Sequence, residues 1–266
     1  RPKCQPRMVS ATVFGLDTAF AKHNPDAVGL GLLAAGLVAL GIYVVYARRV
    51  SNPIIDLSLM RLPTFRASVT GGSVFRIGVG AIPFLLPLLM QEGFGYSPVE
   101  SGAITFLSAA GSLGMRTLSK SVLRRFGYRP VLIWNGIVAS LFMGLCAIFD
   151  AQTPVWIMVM IIFWGGVSRS LEFTALNSIA FADVERAEMS HAMSFSQLAQ
   201  RLSLTMGVAF SAIILHQVAG DVSPVPVSAF SIAFALIGLV SAGSVFSFLA
   251  LGADAGAVLA GRKSKT

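Results

Sequence analysis

Four ionisable side chains sit well inside long apolar stretches of the chain, Arg76, Arg169, Glu172 and Arg201, with Gln197 one turn before the last and Arg116 near the end of a further stretch. A charged group in hydrocarbon is costly and nearly always faces a partner or a water-filled space. Arg169 and Glu172 are i, i+3 neighbours on a helix, close enough to interact. A carboxylate held between desolvation and a neighbouring guanidinium could load and release a proton; equally, it could serve only to neutralise Arg169 so that both can be inserted. Three arginines against one glutamate leave at least two cations without an acid. Water, backbone carbonyls, a bound anion or acids from elsewhere must satisfy them. Asn177, Gln200 and Ser168 add hydrogen-bonding capacity nearby.

The spacing groups these residues. Gly72, Arg76, Gly80, Pro83 and Pro87 recur every three or four positions, which predicts one helical face with room around an arginine. Ser190, Ser194, Gln197, Arg201 and Thr205 do the same and predict a polar stripe on an otherwise apolar helix. We therefore expect Arg76, Arg169, Glu172, Gln197 and Arg201 to line an interior path for substrate or protons.

The elements carrying them are membrane spans. Of 266 residues, 55% are hydrophobic and only 12% charged, about half the charge of a soluble domain, and the mean hydropathy is +0.76. Runs near 20 residues cross a hydrocarbon core as helix, and seven occur, approximately at 28–47, 65–91, 98–118, 130–149, 154–176, 190–217 and 229–251. The expected fold is an all-α membrane protein: a linker helix at 28–47, then a six-helix bundle at 65–251 built of two inverted three-helix repeats. Residues 1–27 form an extramembrane segment and 252–266 a basic tail. Pro98, Pro130 and Pro154 mark helix starts, Pro53 and Pro63 lie in the loop before the bundle, and Pro83 and Pro87 should bend the helix that contains them. The runs at 130–149 and 229–251 carry no charge and should face lipid, whereas those at 65–91, 154–176 and 190–217 should face inward.

Lys and Arg concentrate in alternate loops, which places those loops and the C-terminus on the cytoplasmic side of the cell (inner) membrane. That basic inner surface accounts for most of the net charge of +8 through anionic lipid, so no nucleic-acid partner is required. Cys4 and Cys146 give no disulfide framework. His23, His191 and His216 are too dispersed for a metal or catalytic site. The stretch GAVLAGRKS at 256–264 resembles a phosphate loop but lacks the following helix such a loop needs. No cofactor, metal or enzyme chemistry is indicated, and work across the membrane would draw on a gradient or a partner.

The stretches NPIIDLSLMRLPTFRAS, FRIGVGAIPFLLPLLMQEGFGYSPVESG, LRRFGYRPVL and MSHAMSFSQLAQRLSLTMGVAFSAIIL resemble the C-terminal part of drug:proton antiporter family 2. That is the fourteen-span branch of the major facilitator superfamily. The resemblance runs from about Val28 to the C-terminus. It implies that 28–47 is the second of two extra central spans and that the remainder is the C-terminal bundle, whose first, second, fourth and fifth helices surround a central cavity or face the other bundle. The family's cytoplasmic gating motif, GxLaDRxGRR, falls on 120–129, with Arg125 and Gly127 matching and Arg129 closing it. Lys120 stands in place of its first glycine and Arg124 in place of its acid, a departure from the family's usual charge relay.

The resemblance implies the C-terminal portion of a proton-coupled exporter of drugs or amphipathic metabolites. Its partners would be the lipid bilayer, a small-molecule substrate and a missing N-terminal helix bundle that holds the proton-binding acids. Two alternatives accompany it: an organic-anion transporter of the same fold, motivated by the surplus arginine, and a non-transporting membrane module that binds a partner bundle.

Overall fold

The computed structural model describes residues 56–220, 222, 224–252 and 255–256. The expected linker helix at 28–47, Cys4, His23 and most of the basic tail lie outside the described residues. A 3-10 turn, Leu57–Arg61, leads into the first helix. Asp56 caps that turn by accepting from the Ser58 amide at 2.8 Å, and hydrogen bonding by the Ser58 hydroxyl and this amide holds its carboxyl below the ordinary aspartate range.

Seven helices follow: α1 (Pro63–Leu88), α2 (Pro98–Phe126), α3 (Tyr128–Leu145), α4 (Val155–Ile179), α5 (Met189–Ala219), α6 (Val227–Ala242) and the short α7 (Ser244–Leu249). Pro63 and Pro98 occupy first-turn positions, where the missing N–H leaves no bond unmade. Pro63 therefore starts α1 instead of lying in the preceding loop. Pro83 and Pro87 both fall inside α1, and directly after them the helix widens into a π turn at Leu89–Gly93. Such local widening is one way a membrane helix re-satisfies carbonyls freed by proline.

Five stretches among the described residues are long and apolar enough to cross a bilayer: Pro63–Gly93, Tyr128–Ile148, Val155–Ile179, Met189–Ala219 and Val227–Leu249. The 29-residue α2 is long enough but less apolar. It continues eight residues past the expected end at 118, because Ser119 to Phe126 stay helical after the apolar run stops. Arg124 and Arg125 in the last turn suit the negative pole of the helix dipole. The expected basic loop is thus largely helix, closed by Gly127 at φ +87°. The last expected span is interrupted at Gly243, between α6 and α7.

The packing repeats itself. The most extensive pairings are α2 with α4 and α1 with α5, followed by α3 with α4, α3 with α6 and α1 with α6. Exchanging α1–α3 with α4–α6 maps this set onto itself. Contacts along α1 and α4 run in opposite senses: Thr64 bonds Asp183, just beyond the end of α4, while Phe75 and Arg76 meet Phe173 and Asn177. The two triplets are therefore inverted copies, as expected.

Glycine makes the two main crossings possible. A Cβ on Gly80 would lie 2.8 Å from the Leu204 Cα and carbonyl carbon, and one on Gly207 would lie 3.0 Å from the Ala81 nitrogen. The α2–α4 crossing depends on Gly111 and Gly166 in the same way, and hydroxyls join it: Ser112 donates to the Gly166 carbonyl at 3.1 Å and Ser170 to the Ser112 carbonyl at 2.8 Å. Small residues and cross-helix hydroxyl bonds are how helices associate where lipid removes the usual hydrophobic drive.

Candidate functional site

Arg76 sits near the middle of α1, 1% exposed. Its guanidinium folds over Gly72, whose missing side chain makes the space: a Cβ there would stand 2.7 Å from Nη1. Nη2 donates to Oδ1 of Asn177 at 3.0 Å, and the Phe173 ring lies 5.5 Å below the guanidinium carbon, a cation–π arrangement. Nε has no partner. Among the described residues no carboxylate stands against this cation.

Asn177 also faces outward, onto a cavity of about 390 Å³. The far wall is α5, which contributes Ser196, Gln197, Gln200 and Arg201, while Phe181 and Met193 supply apolar surface. Gln197 and Arg201 are exposed to this space, and the Arg201 guanidinium has no side-chain partner among the described residues. The stripe expected on α5 is present. Ser194 and Thr205 turn their hydroxyls back to the carbonyls four residues earlier, leaving the amides and the guanidinium to face the cavity.

Arg169 and Glu172 lie apart from this cavity and from each other. The i, i+3 pairing expected of them is not made, so the reading in which Glu172 serves to neutralise Arg169 is corrected. The Arg169 guanidinium donates to the Ser108 hydroxyl of α2, with Gly165 one turn away on α4. Glu172 points instead at α3, fully buried, where Oε2 accepts from the Asn135 amide at 2.8 Å. The same amide donates to the Ser168 carbonyl at 2.9 Å, and Oε1 has no partner. A helical turn is short enough to bring the pair together, but each side chain bends to a different neighbouring helix.

Asn135 and Ser108 were not singled out in the sequence. Asn135 carried a signal, since it is the sole amide in the apolar run 130–149. It also corrects the expectation that this helix merely faces lipid. One side of α3 holds Glu172, while Trp134, Ile137, Val138 and Leu141 are exposed on the other.

Of the four residues expected in the gating loop, Arg124 and Arg125 are exposed on the last turn of α2, with Arg125 stacked 5.8 Å from the Phe126 ring. Gly127 forms the α2–α3 junction in a conformation that side chains disfavour. Arg129 reaches back to the Leu249 carbonyl at 3.3 Å, tying this junction to α7. Among the described residues no group of three or more His, Cys, Asp or Glu could hold a metal ion.

Comparison with known proteins adds the family context. The family model described as Major Facilitator Superfamily matches residues 26–208. A Serratia proteamaculans protein named "Putative multidrug resistance protein MdtD" is 31% identical over 229 residues, 84% of this chain and 48% of that protein. Its namesake in Pectobacterium atrosepticum is 32% identical over 69% of this chain and 40% of its own length. A Haemophilus influenzae protein named "Probable transport protein HsrA" is 30% identical over 76% of this chain and 44% of its own. The chain thus spans about half the length of the curated relatives it matches.

Proposed function

Because the chain belongs to the Major Facilitator Superfamily, a family of multi-pass membrane transporters, we propose that it supplies the C-terminal helix bundle of a proton-coupled exporter of drugs or amphipathic metabolites. It would work by alternating access in the inner membrane. The α1–α7 bundle would rock against an N-terminal bundle about a site near the midplane. The named function of the multidrug resistance relatives supports this reading, as does the resemblance to drug:proton antiporter family 2.

The observation that carries the proposal is the cavity between α4 and α5. It is a polar recess, floored by Asn177 on a buried guanidinium, in a protein whose outer surfaces are otherwise rich in exposed Leu, Ile, Val, Phe and Trp. In this reading Gln197 and Arg201 contact substrate from α5, and Arg76 holds Asn177 in position. Among the described residues Glu172, fully buried with one oxygen unpaired, is the acid that would carry a proton through the transport cycle, from the side of α4 away from the cavity. Arg124, Arg125, Gly127 and Arg129 close the cytoplasmic end, where α2 turns into α3.

The test is transport of three radiolabelled amphipathic probes, one anionic, one neutral and one cationic, into inverted membrane vesicles energised by a proton gradient, comparing the intact reading frame with the 266-residue chain alone. Gradient-dependent accumulation by the intact protein, abolished by a protonophore, is the expected result. Accumulation driven equally well without the gradient would remove the proton coupling. Flux through the chain alone would remove the need for a second bundle.

A further inference from the structure

We infer that the α4–α5 cavity binds an organic anion: a carboxylate, sulfonate or acidic phenol carried on a compact apolar body. The inference narrows the substrate class of the exporter proposed above and rests on that reading for its physiological meaning, although the binding itself does not require transport.

Two independent features of the structure lead to it. The first is the lining. The polar residues around the cavity are amides, a hydroxyl and one guanidinium: Asn177, Gln197, Gln200, Ser196 and Arg201. No carboxylate is among them; Glu185 and Glu188, which precede α5, are outside the lining, and two further acids close in sequence turn elsewhere. Asp183 accepts from Thr64, and Glu172 lies against Asn135 on the opposite side of α4. A pocket that took a lipophilic cation would need an acid or an aromatic box, and one phenylalanine and one methionine do not make a box. The apolar remainder, Phe181 and Met193, fits a single ring or short hydrocarbon body.

The second feature is Arg76, which lies outside the lining. It is a fully buried guanidinium whose counter-charge is missing among the described residues, with Nε unpartnered and Nη2 on Asn177. Because Oδ1 of Asn177 accepts from Arg76, the other end of that amide is its NH2 group, a donor, and Asn177 is exposed to the cavity. The buried cation thus orients a neutral donor toward the space and adds positive potential behind it. With Arg201 on the facing wall, an anion placed between α4 and α5 would meet a guanidinium directly and a second one through one amide. Arginine remains charged under protein conditions, so the preference should hold across the working pH range.

The experiment is equilibrium binding to the 266-residue chain in phosphatidylcholine nanodiscs, with empty discs subtracted to remove partition into lipid. The matched probes are radiolabelled 2-naphthalenesulfonate and 2-naphthylmethyl-trimethylammonium, which share a ring system and differ in sign. The sulfonate should bind saturably and the ammonium should not. Arg201→Gln should weaken the sulfonate at least tenfold, the factor expected for one charge pair about 6 Å apart at an effective dielectric near 40. Gln197→Glu, which leaves both arginines in place, should weaken it comparably. Saturable binding of the ammonium by the parent chain would overturn the inference. So would absence of saturable sulfonate binding, or sulfonate binding indifferent to both substitutions. Sulfonate binding that persists in a protein with no proton-driven flux would sink the exporter reading alone, and flux without sulfonate binding would sink this inference alone.

Discussion

The crossing of α1 and α5 at Gly80 is one of the tightest backbone approaches in the bundle, and replacing that glycine by alanine tests the packing directly. A Cβ at position 80 would stand 2.8 Å from two Leu204 main-chain carbons and closer still to the Leu204 carbonyl oxygen, whereas ordinary contact begins near 3.4 Å. The helices must part by more than the roughly 0.6 Å that the carbon contacts alone require, because the carbonyl oxygen is nearer, and the obstacle is backbone, which cannot rotate away. Overpacking of this kind costs about 1–3 kcal/mol, offset by about 1 kcal/mol because alanine favours helix over glycine. The net expectation is a destabilisation of about 1–2 kcal/mol, read as an earlier unfolding midpoint in a thermal scan of the chain in detergent. Gly102→Ala and Gly114→Ala in α2 are the controls, since nothing lies within 4 Å of a Cβ at either position. They should leave the midpoint unchanged or raise it. A Gly80→Ala chain as stable as those controls would refute the crossing and, with it, the packing that holds α5 beside Arg76.

Three further outcomes are expected. Asn135→Ala should destabilise the bundle by about 1–3 kcal/mol, because it strands the Glu172 carboxylate in the core, and adding Glu172→Gln should recover much of the loss in a double-mutant cycle of unfolding midpoints. Gly127→Ala should cost about 1–3 kcal/mol, since the residue holds φ +87°, ψ 166°, a region nearly reserved for glycine; the same thermal scan measures it. Asp56→Ala should cost about 1 kcal/mol through loss of a cap. The Asp56 carboxyl is held below its ordinary range in the folded protein, so its contribution is fully present above that range and disappears as pH falls through the lowered value. The stability difference between parent and Asp56→Ala, followed by unfolding from neutral to acidic pH, should shrink in that window; a difference independent of pH would exclude the cap as its source.

The amino-acid sequence determined the solvent and, through it, the architecture. Apolar runs near 20 residues admit only helices in lipid, and their number and short connections dictate two triplets. It also selected the residues of interest: Gln197 and Arg201 could be placed on one stripe because a helix repeats every 3.6 residues whatever it packs against. Helix ends were less legible where charge and helicity part company. The run ended at position 118, yet α2 continues to Phe126, because charged residues form helix as readily as apolar ones once outside the hydrocarbon.

Only the tertiary structure decided which groups meet. Periodicity put Arg169 and Glu172 within reach along one helix, but reach is not contact. Ser108 of α2 and Asn135 of α3, 61 and 37 residues away in the chain, draw them to separate neighbours. Likewise Arg76 and Asn177, 101 residues apart, come together because α1 and α4 run in opposite directions against each other. Local spacing fixes the face on which a side chain emerges; the partner that satisfies it depends on how distant helices cross, and here the glycines at those crossings set how near they come.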